Sequence, residues 1–199
     1  LGADVTTSGT QTYTGAVTVT GSGTRTLTGT TVTNSSTLNG GGIALTITGN
    51  SSIGGAVTNV TNLSISGTTS LGADVTTSGT QTYTGAVTIT GSTVTRTLTT
   101  TSSAINFAST VSSSSSNANS LTFGSGTGTA TFTGAVGSGA TGALGTITND
   151  SAQTLIFSDA VTATTIANYG TLLFNASSAK TISPAITDNG TTTVQVINS

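Results

Sequence analysis

Residues 1–22, LGADVTTSGTQTYTGAVTVTGS, recur as residues 71–92, LGADVTTSGTQTYTGAVTITGS, and the one change replaces Val19 by Ile89. A near-identical block at a fixed separation narrows the possible folds to repeat architectures. A unit this short cannot bury its own apolar side, so it must stack on a neighbour, and the stack becomes the fold. The one change exchanges two β-branched residues that differ by a methylene, which predicts the same half-buried strand site in both copies.

Short strand signals surround the copies. Val17-Thr18-Val19-Thr20, Leu45-Thr46-Ile47-Thr48, Leu63-Ser64-Ile65-Ser66 and Val87-Thr88-Ile89-Thr90 alternate apolar and hydroxyl side chains, the period of a half-buried strand. Each ends at a glycine (Gly21, Gly49, Gly67, Gly91), which turns the chain at no steric cost. Gly-Ala-Val at 15–17, 55–57, 85–87 and 134–136 reads as a corner that opens the next strand. Helix formers are scarce: Glu is absent, and Thr and Ser make up roughly two residues in five, far above globular usage. A strand, a glycine corner and another strand make a β-solenoid coil.

The sequence predicts one continuous all-β solenoid over 1–199, part of a longer chain. Residues 1–100 form a near-regular 70-residue repeat region. Residues 101–120 read as a Ser-rich loop, the run VSSSSSNANS at 111–120 being its core, and 121–199 as divergent coils in which Phe replaces Val or Ile. Seventy residues divide into three coils of about 23 or four of about 17, and the rod would be on the order of 40–55 Å long. The alternative fold is an antiparallel β-sandwich array, whose immunoglobulin-type repeats run near 100 residues around a core Trp. This chain has no Trp.

Composition removes several functions. Only 4% of residues are charged, with net charge −2. Three dispersed cations, Arg25, Arg96 and Lys180, cannot neutralise a nucleic-acid backbone, and no run is long enough to span a membrane as a helix. With no His, Cys or Glu, only Asp, Lys, Tyr, Ser and Thr remain for acid–base or nucleophilic chemistry, and a carboxylate cluster would have to come from five aspartates. Asp4 and Asp74 are placed three or four coils apart, and no spacing draws Asp150, Asp159 and Asp188 together. We therefore expect no enzyme and no catalytic, cofactor-binding or metal-binding residue.

Thr-X-Thr recurs at 12–14, 18–20, 26–28, 46–48, 88–90 and 97–99, which is similar to the threonine ladders of solenoid ice-binding proteins. Ice binding needs one pair per coil on one flat face. The gaps here are irregular and X is often Val, Leu or Ile, so ordinary in–out alternation is the expected reading and ice binding the alternative. Asparagines are expected in turns, where they tolerate left-handed geometry and can stack. Tyr13 and Tyr83 are expected in core or corner positions, and Arg25 and Arg96 pointing outward.

The block LGADVTTSGTQTYTGAVTVTG resembles the shaft repeats of large bacterial surface adhesins of the filamentous-haemagglutinin type. The tail GTLLFNASSAKTISPAITDNGTTTVQV (170–196) is similar to autotransporter passenger repeats. The resemblance implies a right-handed parallel β-helix, secreted to the bacterial cell surface, serving as a stalk in adhesion or biofilm cohesion. Its partners would be neighbouring coils of the same longer chain or identical subunits in a filament, with a host receptor or glycan left open.

Overall fold

A computed structural model describes residues 1–124, 126, 128–139, 141–189 and 193–198; residues 190–192 of the tail quoted above lie outside it. Among the described residues there is no helix, and every strand pairing is parallel. The chain winds as a β-solenoid of about 9 turns, as the strand-and-glycine pattern predicts. Hydrogen bonds join each turn to the next, and each turn has three faces.

One inward position runs the whole length of the first face. Val5, Leu27, Ile47, Ile65, Tyr83, Phe107, Phe132, Phe157, Phe174 and Val196 lie in register, each paired to the next. On the second face, the column reads Gln11, Val32, Ser51, Thr69, Val87, Val111, Val136, Val161 and Ile182. The third reads Val17, Leu38, Val57, Val75, Leu98, Phe123, Asn149, Asn168 and Asp188. The in–out alternation of the sequence is what allows this, since a one-residue slip would turn every apolar side chain to water.

Turn length varies. From Ile47 to Ile65 is 18 residues, and from Ile65 to Tyr83 is 18 again. In this stretch Ser51, Val57, Leu63, Thr69, Val75, Gln81 and Val87 open successive faces at six-residue steps, and all are buried. Elsewhere the length changes: from Phe107 to Phe132 a turn takes 25 residues, and from Phe157 to Phe174 only 17.

The two copies therefore do not occupy equivalent places. Val5 belongs to the first face and Val75 to the third; Gln11 belongs to the second and Gln81 to the first. Seventy residues make three turns and two further faces, so the expectation of a whole number of coils, three or four, is corrected. The reason is the six-residue step: a strand-plus-corner unit fits any face. The half-buried reading of Val19 and Ile89 also changes, for they are 1% and 0% exposed, on different faces.

The core changes character along the stack. Before Tyr83 it is aliphatic; from there, parallel rings continue turn upon turn. Tyr83 and Phe107 stack with centroids 5.1 Å apart, Phe107 and Phe132 at 4.8 Å, Phe132 and Phe157 at 4.7 Å, and Phe157 and Phe174 at 5.7 Å. Phe123 meets Phe107 and Phe132 edge-on from the third face. Offset stacking adds about 0.5–1.5 kcal/mol per pair beyond the area buried.

Residues 101–120 are not the loop expected from their serines. Ile105–Phe107 and Val111–Ser113 are strands paired on both sides. Ile105, Phe107 and Val111 point inward, and burial of three apolar side chains outweighs the serine-rich composition. The corner before Ile105 takes one extra residue, and in the corner after Ser113 Asn119 turns its amide inward to the carbonyls of Ile89 and Gly91 at 3.0 and 3.2 Å.

Candidate functional site

The outward positions beside the first-face column carry the most regular pattern in the molecule. TLTG (26–29), TITG (46–49), SISG (64–67) and TYTG (82–85) lie on four consecutive turns. Thr26 pairs with Thr46, Thr46 with Ser64, and Ser64 with Thr82; Thr28 pairs with Thr48. Leu27, Ile47, Ile65 and Tyr83 point into the core between the flanking hydroxyls, and all four are buried. Two parallel rows of hydroxyls result. Asn106 and Ala108 interrupt the rows on the next turn, and Thr131 and Thr133 resume them.

The glycines that follow let successive turns close up at one corner. A side chain on Gly49 would run into the carbonyl of Gly29, one on Gly67 into Gly49, and one on Gly85 into Gly67. Four turns thus meet backbone to backbone at one corner. The irregular gaps between Thr-X-Thr pairs in the sequence arise because corners differ in length, while register realigns the strands. The other pairs go elsewhere: Thr12–Thr14 and Thr88–Thr90 follow the second face, and Thr97–Thr99 the third.

Two polar devices recur at the corners, and only their residue types are visible in the sequence. Gln81 Nε2 donates to the carbonyls of Val75 (3.3 Å) and Thr99 (2.9 Å), and its Oε1 accepts from the Tyr83 hydroxyl (3.0 Å). Gln11 does the same with Val5 (3.1 Å), Thr28 (2.7 Å) and Tyr13 (2.9 Å). A buried amide thus closes a corner and ties it to the next turn. Its signal was the triplet Gln-Thr-Tyr, six residues after an inward Val. Burial pushes the Tyr83 hydroxyl well above the ordinary tyrosine range. The second device is an aspartate that reaches across turns: Asp4 accepts from the Thr26 amide and Asp74 from the Thr97 amide, each at 2.9 Å.

Asparagines serve similarly. Asn50 and Asn62 each accept from the amide and hydroxyl of a threonine one turn on, Thr68 and Thr80. Asn149 donates to Asn168 at 2.8 Å, and Asn168 to Asp188 at 3.2 Å, a ladder inside the third face. Asn59 and Asn117 adopt left-handed backbone, with φ of 53° and 56°.

The arginines do not point outward as expected. Arg25 occupies the inward register of Leu45, and Arg96 that of Leu121. Each is half-buried and folds back on its corner, Arg25 donating to the carbonyls of Ser22 and Thr24 and Arg96 to that of Thr90. At the strand entrance the guanidinium donates to the corner while its stem covers the core.

The remaining aspartates are dispersed. Asp159 pairs with Lys180 at 3.0 Å beside a small hollow lined by Phe157, Phe174, Ile182 and Val196. The Ala160 amide, and after it Lys180, holds the Asp159 carboxyl below its ordinary range. Asp150 accepts from the Ser151 amide, and Asp188 ends the asparagine ladder. Among the described residues no three acidic side chains gather to hold a metal ion, and no helix is long and apolar enough to cross a membrane. No protein-family model, curated protein or solved structure matches this chain.

Proposed function

We propose that the chain is a shaft segment of an extracellular filamentous protein, an adhesin or fibre that serves surface attachment or biofilm cohesion. The supporting observation is the first-face column, which runs unbroken from Val5 to Val196 through every turn. A chain with this core holds its two ends roughly 40 Å apart at about 4.8 Å per turn, and adding turns lengthens it without redesign. The partners on this reading are further coils, of the same longer chain or of identical subunits.

Antibodies raised against the 199-residue chain test the proposal by immunogold labelling of source cells. Label along surface fibres on intact cells is the expected result. Label confined to the interior of permeabilised cells would overturn it.

A further inference from the structure

We propose that the hydroxyl lattice of the first face, between Thr26 and Thr84, adsorbs to ice. The lattice repeats in two directions, at about 4.8 Å along the stack and about 6.6 Å along each strand. Parallel register fixes the first repeat and the Thr-X-Thr spacing fixes the second. The face carries no charged group between Thr26 and Thr84, so phosphates and acidic surfaces find no partner there. Its one aromatic residue, Tyr83, is buried, so sugar rings find no stacking platform. What remains complementary is a ligand that is itself a periodic array of hydrogen-bonding oxygens, repeating on the same few-ångström scale.

The energetics favour a solid over the liquid. A single exposed hydroxyl gains almost nothing by exchanging one water for another. Eight hydroxyls held in one frame gain together, because the ordering cost has already been met in folding. Threonine suits this role: its branched Cβ restricts χ1, so the hydroxyl is held in few directions, and its methyl fills the space between rows. The glycine corner lets successive turns close up backbone to backbone, which holds the rows at the strand spacing. This inference goes beyond the shaft reading and does not rest on it.

The test is uptake of the 199-residue chain into slowly growing ice, together with thermal hysteresis. The wild-type chain is expected to enter the ice and to lower the freezing point below the melting point. Thr46→Lys combined with Thr82→Lys should raise the protein concentration needed for a given hysteresis roughly tenfold, equivalent to about 1.4 kcal/mol of adsorption free energy. Thr33→Lys, on the second face, should leave it unchanged, and Ser64→Thr with Ser66→Thr should lower it. Circular dichroism melts confirm that each variant is folded. Exclusion of the wild-type chain from ice to the same degree as an inert protein, or equal loss on Thr33→Lys, would overturn the inference. Neither result bears on the immunogold test of the shaft.

Discussion

The two copies of the 22-residue block have nearly the same sequence and different surroundings. Tyr83 is fully buried and stacks on Phe107, while Tyr13 is half-buried at the first turn and has Asn34 in register on one side. Yet the local bonds coincide: glutamine to corner, tyrosine to glutamine, aspartate to the next turn's threonine. Local sequence therefore sets the strand, the corner and the polar bonds. Burial, and with it most of the stability, is set by whatever lies above and below.

The largest contrast falls on the tyrosines. Tyr83→Ala should cost about 3–5 kcal/mol in denaturant melts, and Tyr13→Ala no more than about 1, because only the former empties a closed core. Similar costs for the two would break the comparison. The same burial gives a pH signature. Because the folded-state value of Tyr83 is raised, its contribution is complete below the ordinary tyrosine value of about 10 and is lost as pH rises beyond it. Its phenolate absorbance should appear only together with unfolding, and Tyr83→Phe should remove that step.

Next in size is the corner amide. Gln81→Ala should destabilise by about 2–3 kcal/mol, since it leaves two carbonyls and a buried hydroxyl without partners, and Gln11→Ala by about 1, since the freed hydroxyl of half-buried Tyr13 meets water. Equilibrium melts of both variants measure the gap. Ile89→Val, which makes the copies identical, should cost about 0.5–1.5 kcal/mol as a methylene lost from a closed core. The smallest contrast is an expected equality. Asp4→Ala and Asp74→Ala should each cost about 0.5–1.5 kcal/mol, because the lost bond is the same and is exposed in both places. A clear difference between them would show that the face matters even to local bonds.

The solenoid was legible because β-branched alternation and glycine corners are local signals. The strand segments around Leu45, Leu63, Leu121, Leu155 and Leu172 all fall in strands. Turn length was not legible, since it depends on which corner absorbs extra residues. Register is fixed only by neighbours, so the sorting of Thr-X-Thr pairs onto faces was hidden too. Val17-Thr18-Val19-Thr20-Gly21 reads just like Leu45-Thr46-Ile47-Thr48-Gly49, yet the first lies on the third face and the second on the first. Arg25 and Arg96 misled for a related reason: a charged residue in an inward register is unexpected until the stem and the head are seen to part company.

The direction of the ladders has a consequence for a molecule under load. Hydrogen bonds between turns lie along the stack, and the chain runs progressively from one end to the other. A pull on both ends therefore strains the turns in series, and an end turn can peel away while the rest stays wound. Each release would pay out 17 to 25 residues, or roughly 55–80 Å of slack. Tension would be relieved in discrete steps, and every step could rewind once the load fell.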